Sequence, residues 1–196
     1  MPVSSNVRPQ NSQFLTRAHM KTKLTAIFLT LIATQAAAQS YASPGNHFAL
    51  KYSQPWAPTA MVDQEMEVFL LCDRAVCGPT ALLSAGAFFE PNLKSGTLAD
   101  FLKHANGDAI TQRVRASPMV EKVVIIKEGK TRLGNIDAYE VVAEVSIQGG
   151  RKRIRHTFMT FNSGYVYTLA LGAPPETHKK ALEAVQPVLA SFRFTQ

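Results

Sequence analysis

Cys72 and Cys77 are the two cysteines of the 196-residue chain, separated by Asp73-Arg74-Ala75-Val76. A C-x4-C pair can be a structural disulfide, two free thiols or a redox couple. Redox couples favour C-x-x-C at a helix N-terminus, where the thiol pKa falls. The spacing here is not C-x-x-C, and no helix start is expected beside the pair. Two adjacent strands joined by a four-residue loop bring their flanking residues opposite each other, which is compatible with a cross-strand disulfide. Closing so short a loop stabilises by about 2 kcal/mol in the chain-entropy model.

The densest charge run is Arg151-Lys152-Arg153-Ile154-Arg155-His156. On a strand, Arg151, Arg153 and Arg155 share one face. If Ile154 and Phe158 point inward, this stripe faces outward as a candidate surface for an anionic partner. Met159 and Phe161 favour the opposite phase. The alternative reading is a solvated hairpin strand whose charges block edge pairing, with Glu140 and Glu144 on the preceding strand neutralising part of it.

Other constellations that carry chemistry are missing. His47, His104, His156 and His178 show no metal-ligand spacing. Ser84 and Ser163 lack a G-x-S-x-G context. No phosphate-binding glycine loop occurs, and the carboxylates are scattered, so no acid–base pair stands out. Trp56, Tyr52, Phe88 and Phe89 have two readings, the lining of a pocket and, ahead of it, the core aromatics of an antiparallel sheet. This census points to no cofactor and to no hydrolase or redox enzyme.

The formal net charge of +7 invites a polyanion partner until its location is considered. From Met20 the chain reads MKTKLTAIFLTLIATQAAAQS: a short basic stretch, an apolar run, then small residues ending at Ala38 before Gln39. That is the pattern of a secretory signal peptide cleaved between Ala38 and Gln39. The apolar run is shorter than the roughly 20 residues a membrane span needs. No cysteine lies near the cleavage point, which argues against a lipid anchor there. Met20 is also a suitable start, so residues 1–19 are either untranslated or a long leader. Residues 1–38 hold Arg8, Arg17, Lys21 and Lys23 and no acid. Four of the 21 basic residues therefore leave with the leader, and 17 against 14 acidic residues give residues 39–196 a net charge of +3. Nucleic acid is a poor fit to an exported protein of that charge.

The elements that position these residues follow from periodicity. Strands are predicted over 47–52, 65–71, 80–89 and 120–126, with a turn at Gly129-Lys130. Tyr139, Val141, Ala143, Val145 and Ile147 alternate with polar residues, the clearest period-two pattern in the chain. Gln148-Gly149-Gly150 turns into a strand over 152–161, and Asn162-Ser163-Gly164 into another over 165–171. Thr97 with Asp100 starts a helix that Asn106-Gly107 stops, and Asp108 to Ala116 add a turn or two. A last helix follows Pro174-Pro175, with Pro187 predicted to kink or end it, and 191–194 form a short strand. Tight turns between consecutive strands require antiparallel pairing. Helices at only two points exclude a doubly wound sheet and predict an α+β fold.

The order of elements resembles the PsbP-like family. The resemblance rests on Phe48-Ala49-Leu50-Lys51-Tyr52 with Pro55 and Trp56, Leu133-Gly134-Asn135-Ile136-Asp137-Ala138-Tyr139-Glu140, Gly164-Tyr165-Val166-Tyr167 and the closing Ser191-Phe192. It spans nearly all of residues 39–196, read as one domain. Ser53 stands where family members often have proline. The resemblance implies a central antiparallel sheet between helical layers and a protein that binds or assists another protein. No functional residue carries over. The expectation is an exported, non-catalytic domain with a partner protein in the cell envelope; the alternative is a small-ligand or ion-binding periplasmic module.

Overall fold

The structure, a computed structural model, describes residues 37–61 and 66–196. Among the described residues, ten strands and four helices follow in the order β1 (Gln39–Ser43), β2 (Phe48–Tyr52), β3 (Trp56–Pro58), β4 (Met66–Cys72), α1 (Arg74–Cys77), β5 (Leu82–Phe89), α2 (Leu98–Leu102), α3 (Gly107–Ala116), β6 (Val120–Leu133), β7 (Ile136–Ile147), β8 (Arg151–Asn162), β9 (Tyr165–Ala173), α4 (His178–Ala190) and β10 (Arg193–Phe194). A short 3₁₀ turn, Pro91–Leu93, follows β5. The predicted leader falls almost wholly outside the described residues. Among those described, no helix is long and apolar enough to cross a membrane.

The chain is α+β, with antiparallel sheets flanked by helices. The large sheet has seven strands in the order β3-β4-β5-β9-β8-β7-β6. A second sheet, β1-β2-β10, was not foreseen as separate; it takes the strand over 48–52 out of the central sheet. The β8–β9 turn is Ser163-Gly164 with both φ positive, 52° and 86°, the primed turn that matches the twist of paired strands.

Several boundaries differ from expectation, each for a physical reason. The turn predicted at Gly129-Lys130 lies inside β6, which pairs with β7 as far as Leu133↔Ile136. The true turn falls at Gly134, where φ is +56° and a Cβ would sit 2.7 Å from the Ala190 carbonyl oxygen. Asn106 does not stop a helix but starts one: its side chain accepts from the Ala109 amide and caps α3. The capping box of Thr97 and Asp100 forms at the start of α2, which ends at Leu102. Pro187 lies inside α4, and the helix continues to Ala190 because Val185, Val188 and Leu189 bury its face on the sheet.

Both faces of the large sheet are covered. One carries the main core: Leu70, Leu83, Leu169 and Leu171 pack against Ala181 and Val185 of α4. The other carries a smaller cluster of Met159, Phe161 and Val166 against Phe101 of α2 and Ile110 of α3. Two hydrogen bonds seat the helices on their faces: the Gly107 amide donates to Glu128 Oε2 at 2.7 Å, and Trp56 Nε1 donates to the Ala184 carbonyl at 3.0 Å.

Candidate functional site

The structure joins Cys72 and Cys77 in a disulfide, with Cα atoms 6.0 Å apart. The bond does not run across a hairpin as predicted. Cys72 ends β4, and Cys77 ends α1, a helical turn that Asp73 caps by accepting from the Ala75 amide at 2.8 Å. Both cysteines are buried. The pair is therefore a clip at the entry to β5.

The arginine stripe divides into three environments. Arg151, Arg153 and Arg155 do share a face of β8, but that face lies on the α3 side of the sheet. Both predicted phases are satisfied, because Ile154 and Phe158 face α4 while Met159 and Phe161 face α2 and α3. β8 is also an interior strand, paired with β7 and β9, so its charges do not guard an edge. Arg151 is exposed beside the β7–β8 turn. Arg153 is half-buried and spans neighbouring elements: Nη1 donates to Thr80 Oγ1 at 3.0 Å, and Nη2 donates to the Thr80 and Gly172 carbonyls. Burial, with the charge of Arg151, pulls its pKa below the ordinary guanidinium value. Arg155 reaches a chamber between sheet and α3, where Arg113 of α3 also points. The Arg113 guanidinium lies 5.5 Å from the centre of the Phe88 ring.

A second polar group sits on the opposite face, and sequence spacing did not reveal it. His156 is 6% exposed, and its Nε2 lies 2.9 Å from Glu140 Oε2. Lys127 pairs with the other Glu140 oxygen. The His156 ring stacks on Phe158 at 4.3 Å, and the ring of His178, at the start of α4, is centred 5.7 Å away. Burial holds the His156 pKa below its ordinary value despite Glu140, and burial with His156 does the same to His178. For Glu140, burial pushes upward, but hydrogen bonds and charge from Lys127 and His156 outweigh it and the pKa is lowered. The pair is thus a neutral imidazole donating to a carboxylate. Among the described residues, His156 Nδ1 and His178 Nε2 have no hydrogen-bond partner. The signal for the Glu140–His156 pair is strand register: Val142 pairs with His156 and Glu140 with Phe158, so Glu140, His156 and Phe158 fall on one face. No group of three or more His, Cys, Asp or Glu among the described residues is arranged to hold a metal ion.

Ala38 and Gln39, the predicted cleavage pair, are exposed, and β1 begins at Gln39, which pairs with Tyr52.

No family model and no curated protein matches the sequence. Solved structures do match the fold. The solution structure of cyanobacterial PsbP, CyanoP, from Synechocystis sp. PCC 6803 is similar over 81% of this chain and 93% of its own, at 15% identity and a TM-score of 0.53. A protein from Bacteroides thetaiotaomicron VPI-5482 is similar over 81% of this chain at 11% identity and a TM-score of 0.53, and this chain spans about half of its length, 48%. With a seven-stranded antiparallel sheet between α4 and the α2–α3 pair, and this likeness to CyanoP, the chain has a PsbP-like fold.

Proposed function

We propose that this protein is an exported, non-catalytic accessory domain that binds an acidic partner protein in the cell envelope. The observation that carries the reading is the end of the large sheet beside the β7–β8 turn. There Arg151 and Lys152 are exposed, with Lys152 Nζ donating to Glu144 Oε1 at 2.8 Å, next to Met119, which is 54% exposed, and a shallow groove runs between them toward Pro174 and Pro175. Cationic side chains around an exposed apolar residue suit a partner segment with acidic groups flanking an apolar anchor. Export rests on the signal pattern of residues 20–39, and β1 starts after the proposed cut, so cleavage leaves every described strand whole.

The test is affinity capture from envelope extract with the wild-type protein and with Arg151→Glu/Lys152→Glu. A protein captured by the first and lost by the second supports the reading. Identical captures, or none, overturn it. N-terminal sequencing of the exported protein is expected to begin at Gln39. A second reading, a small-ligand module, is favoured by one observation, the chamber beneath α3.

A further inference from the structure

The face of the large sheet under α3 is incompletely filled, and the reason lies in side-chain size. Where β5, β9 and β8 run side by side, the positions facing α3 include Gly86, Thr168 and Thr157, with Gly86 directly opposite Thr168. The helical layer above contributes Ala105 and Ala109 at the same place. Small residues on both sides of an interface leave space that larger ones would close. The result is a chamber of about 260 Å³ walled by Phe88, Phe101, Ile110 and Met159. It reaches solvent, since Thr168 remains partly exposed although β9 has a strand on either side. Beyond it a wider groove continues along α3 toward Ser84 and Arg153, and Arg113 and Arg155 line both spaces, so they stand at the junction.

We propose that this chamber binds a free medium-chain monocarboxylate, its apolar body between Phe88, Phe101, Ile110 and Met159 and its carboxylate between Arg113 and Arg155. Size sets the chain length. If a methylene takes about the volume of a liquid water, ~30 Å³, then 260 Å³ holds roughly nine carbons. Charge sets the head group. A guanidinium presents five N–H donors in a planar fork that matches a carboxylate. Arg113 and Arg155 each engage another group of the protein as well, and the five N–H donors of each guanidinium are more than one such partner takes up. Glu90, the acid that also lines the chamber, is held at the turn after β5, where Oε1 accepts from Asn92 Nδ2 at 3.0 Å. A neutral head group would gain the apolar wall and forgo the charge-assisted bonds. This inference concerns a different surface from the partner site and stands or falls without it.

Calorimetric titration of the full chain with decanoate, decanol and acetate tests it. Decanoate is expected to bind saturably at one site, with decanol and acetate at least about tenfold weaker. Arg155→Gln and Arg113→Gln are each expected to weaken decanoate about tenfold and leave decanol unchanged. Thr168→Leu, which narrows the chamber, is expected to weaken both. Arg113 is exposed on α3, so its variant still reads the site should Thr168→Leu fail to fold. Equal binding of decanol and decanoate, indifference to the arginine variants, or no saturable binding by folded wild-type protein overturns the proposal. Binding to phosphatidylglycerol vesicles without binding to monomeric decanoate also overturns it, because the ligand would then be an anionic phosphodiester surface rather than a free carboxylate.

Discussion

On one face of the seven-stranded sheet, α4 covers leucines and aromatics that are almost wholly buried, and a histidine–glutamate pair closes the rim of that core. On the other face, two short helices cover threonines, a glycine and arginines, and space remains between the layers. The same strands supply both faces, so backbone pairing cannot account for the difference. Side-chain volume does. One face holds the fold together by close packing, and the other leaves space between its layers.

The strongest way to break this comparison is to truncate matched residues on the two faces. Leu169, fully buried toward α4, is expected to cost about 2–5 kcal/mol when replaced by alanine. Ile110→Ala, on the chamber wall and only partly buried, is expected to cost no more than about 1 kcal/mol, because the site is already open. Denaturant unfolding measures both; equal losses would show that the faces contribute alike.

A second test separates arginines on one strand face. Arg153→Ala removes donors to Thr80, whose φ is +58°, and to Gly172, at an expected cost of about 1–3 kcal/mol. Arg151→Ala, at an exposed position, is expected to stay within about 0.5 kcal/mol. Thermal unfolding of the two variants reads the contrast.

A smaller effect distinguishes the helix that roofs the chamber. Thr97→Ala removes the capping box of α2 and is expected to cost about 1 kcal/mol, visible as faster amide exchange in α2 with α4 unchanged.

The mildest test uses pH. His156 and His178 have pKa values lowered in the folded state, so the unfolded chain binds more protons than the folded one just below the ordinary value of 6.5. Their contribution is present in full above that value and is lost as pH falls from there through the folded-state pKa. Glu140, also lowered, adds a loss of the same sign below 4.5. Stability is expected to decline from pH 7 toward 5, and His156→Phe is expected to flatten part of that slope; a slope unchanged in the variant would remove His156 from the account.

What the sequence made legible follows from how strongly each residue type constrains its neighbours. Tyr139 to Ile147 alternates apolar and polar residues, and β7 lies where that alternation places it. β8 was ambiguous in phase because it is buried on both sides: Ile154 and Phe158 argue for one face, Met159 and Phe161 for the other, and each pattern is real. Gly129 looked like a turn because glycine marks turns more often than strand interiors, whereas Gly134 is the residue whose φ and proximity to α4 exclude a side chain. The Glu140–His156 contact needed strand register, which no single strand encodes. The chamber was the least legible feature: Gly86, Thr157, Thr168, Ala105 and Ala109 are spread over five segments, and small residues leave no pattern until the layers that fail to meet are known.

The small sheet has a consequence for the order in which the chain can fold. β10 pairs with β2, and the Lys51 amide donates to Ser191 Oγ at 2.7 Å across a sequence separation of 140. Phe192 stacks on Phe48 with ring centres 5.9 Å apart. Contacts of such long sequence separation form late, because the loop they close is entropically costly until the rest of the fold shortens it. A nascent chain can assemble the β6–β7–β8–β9 meander as it emerges, but β2 lacks its second neighbour and Phe48 its cover until residue 194 has been made. The small sheet is therefore completed only after nearly the whole chain has been made.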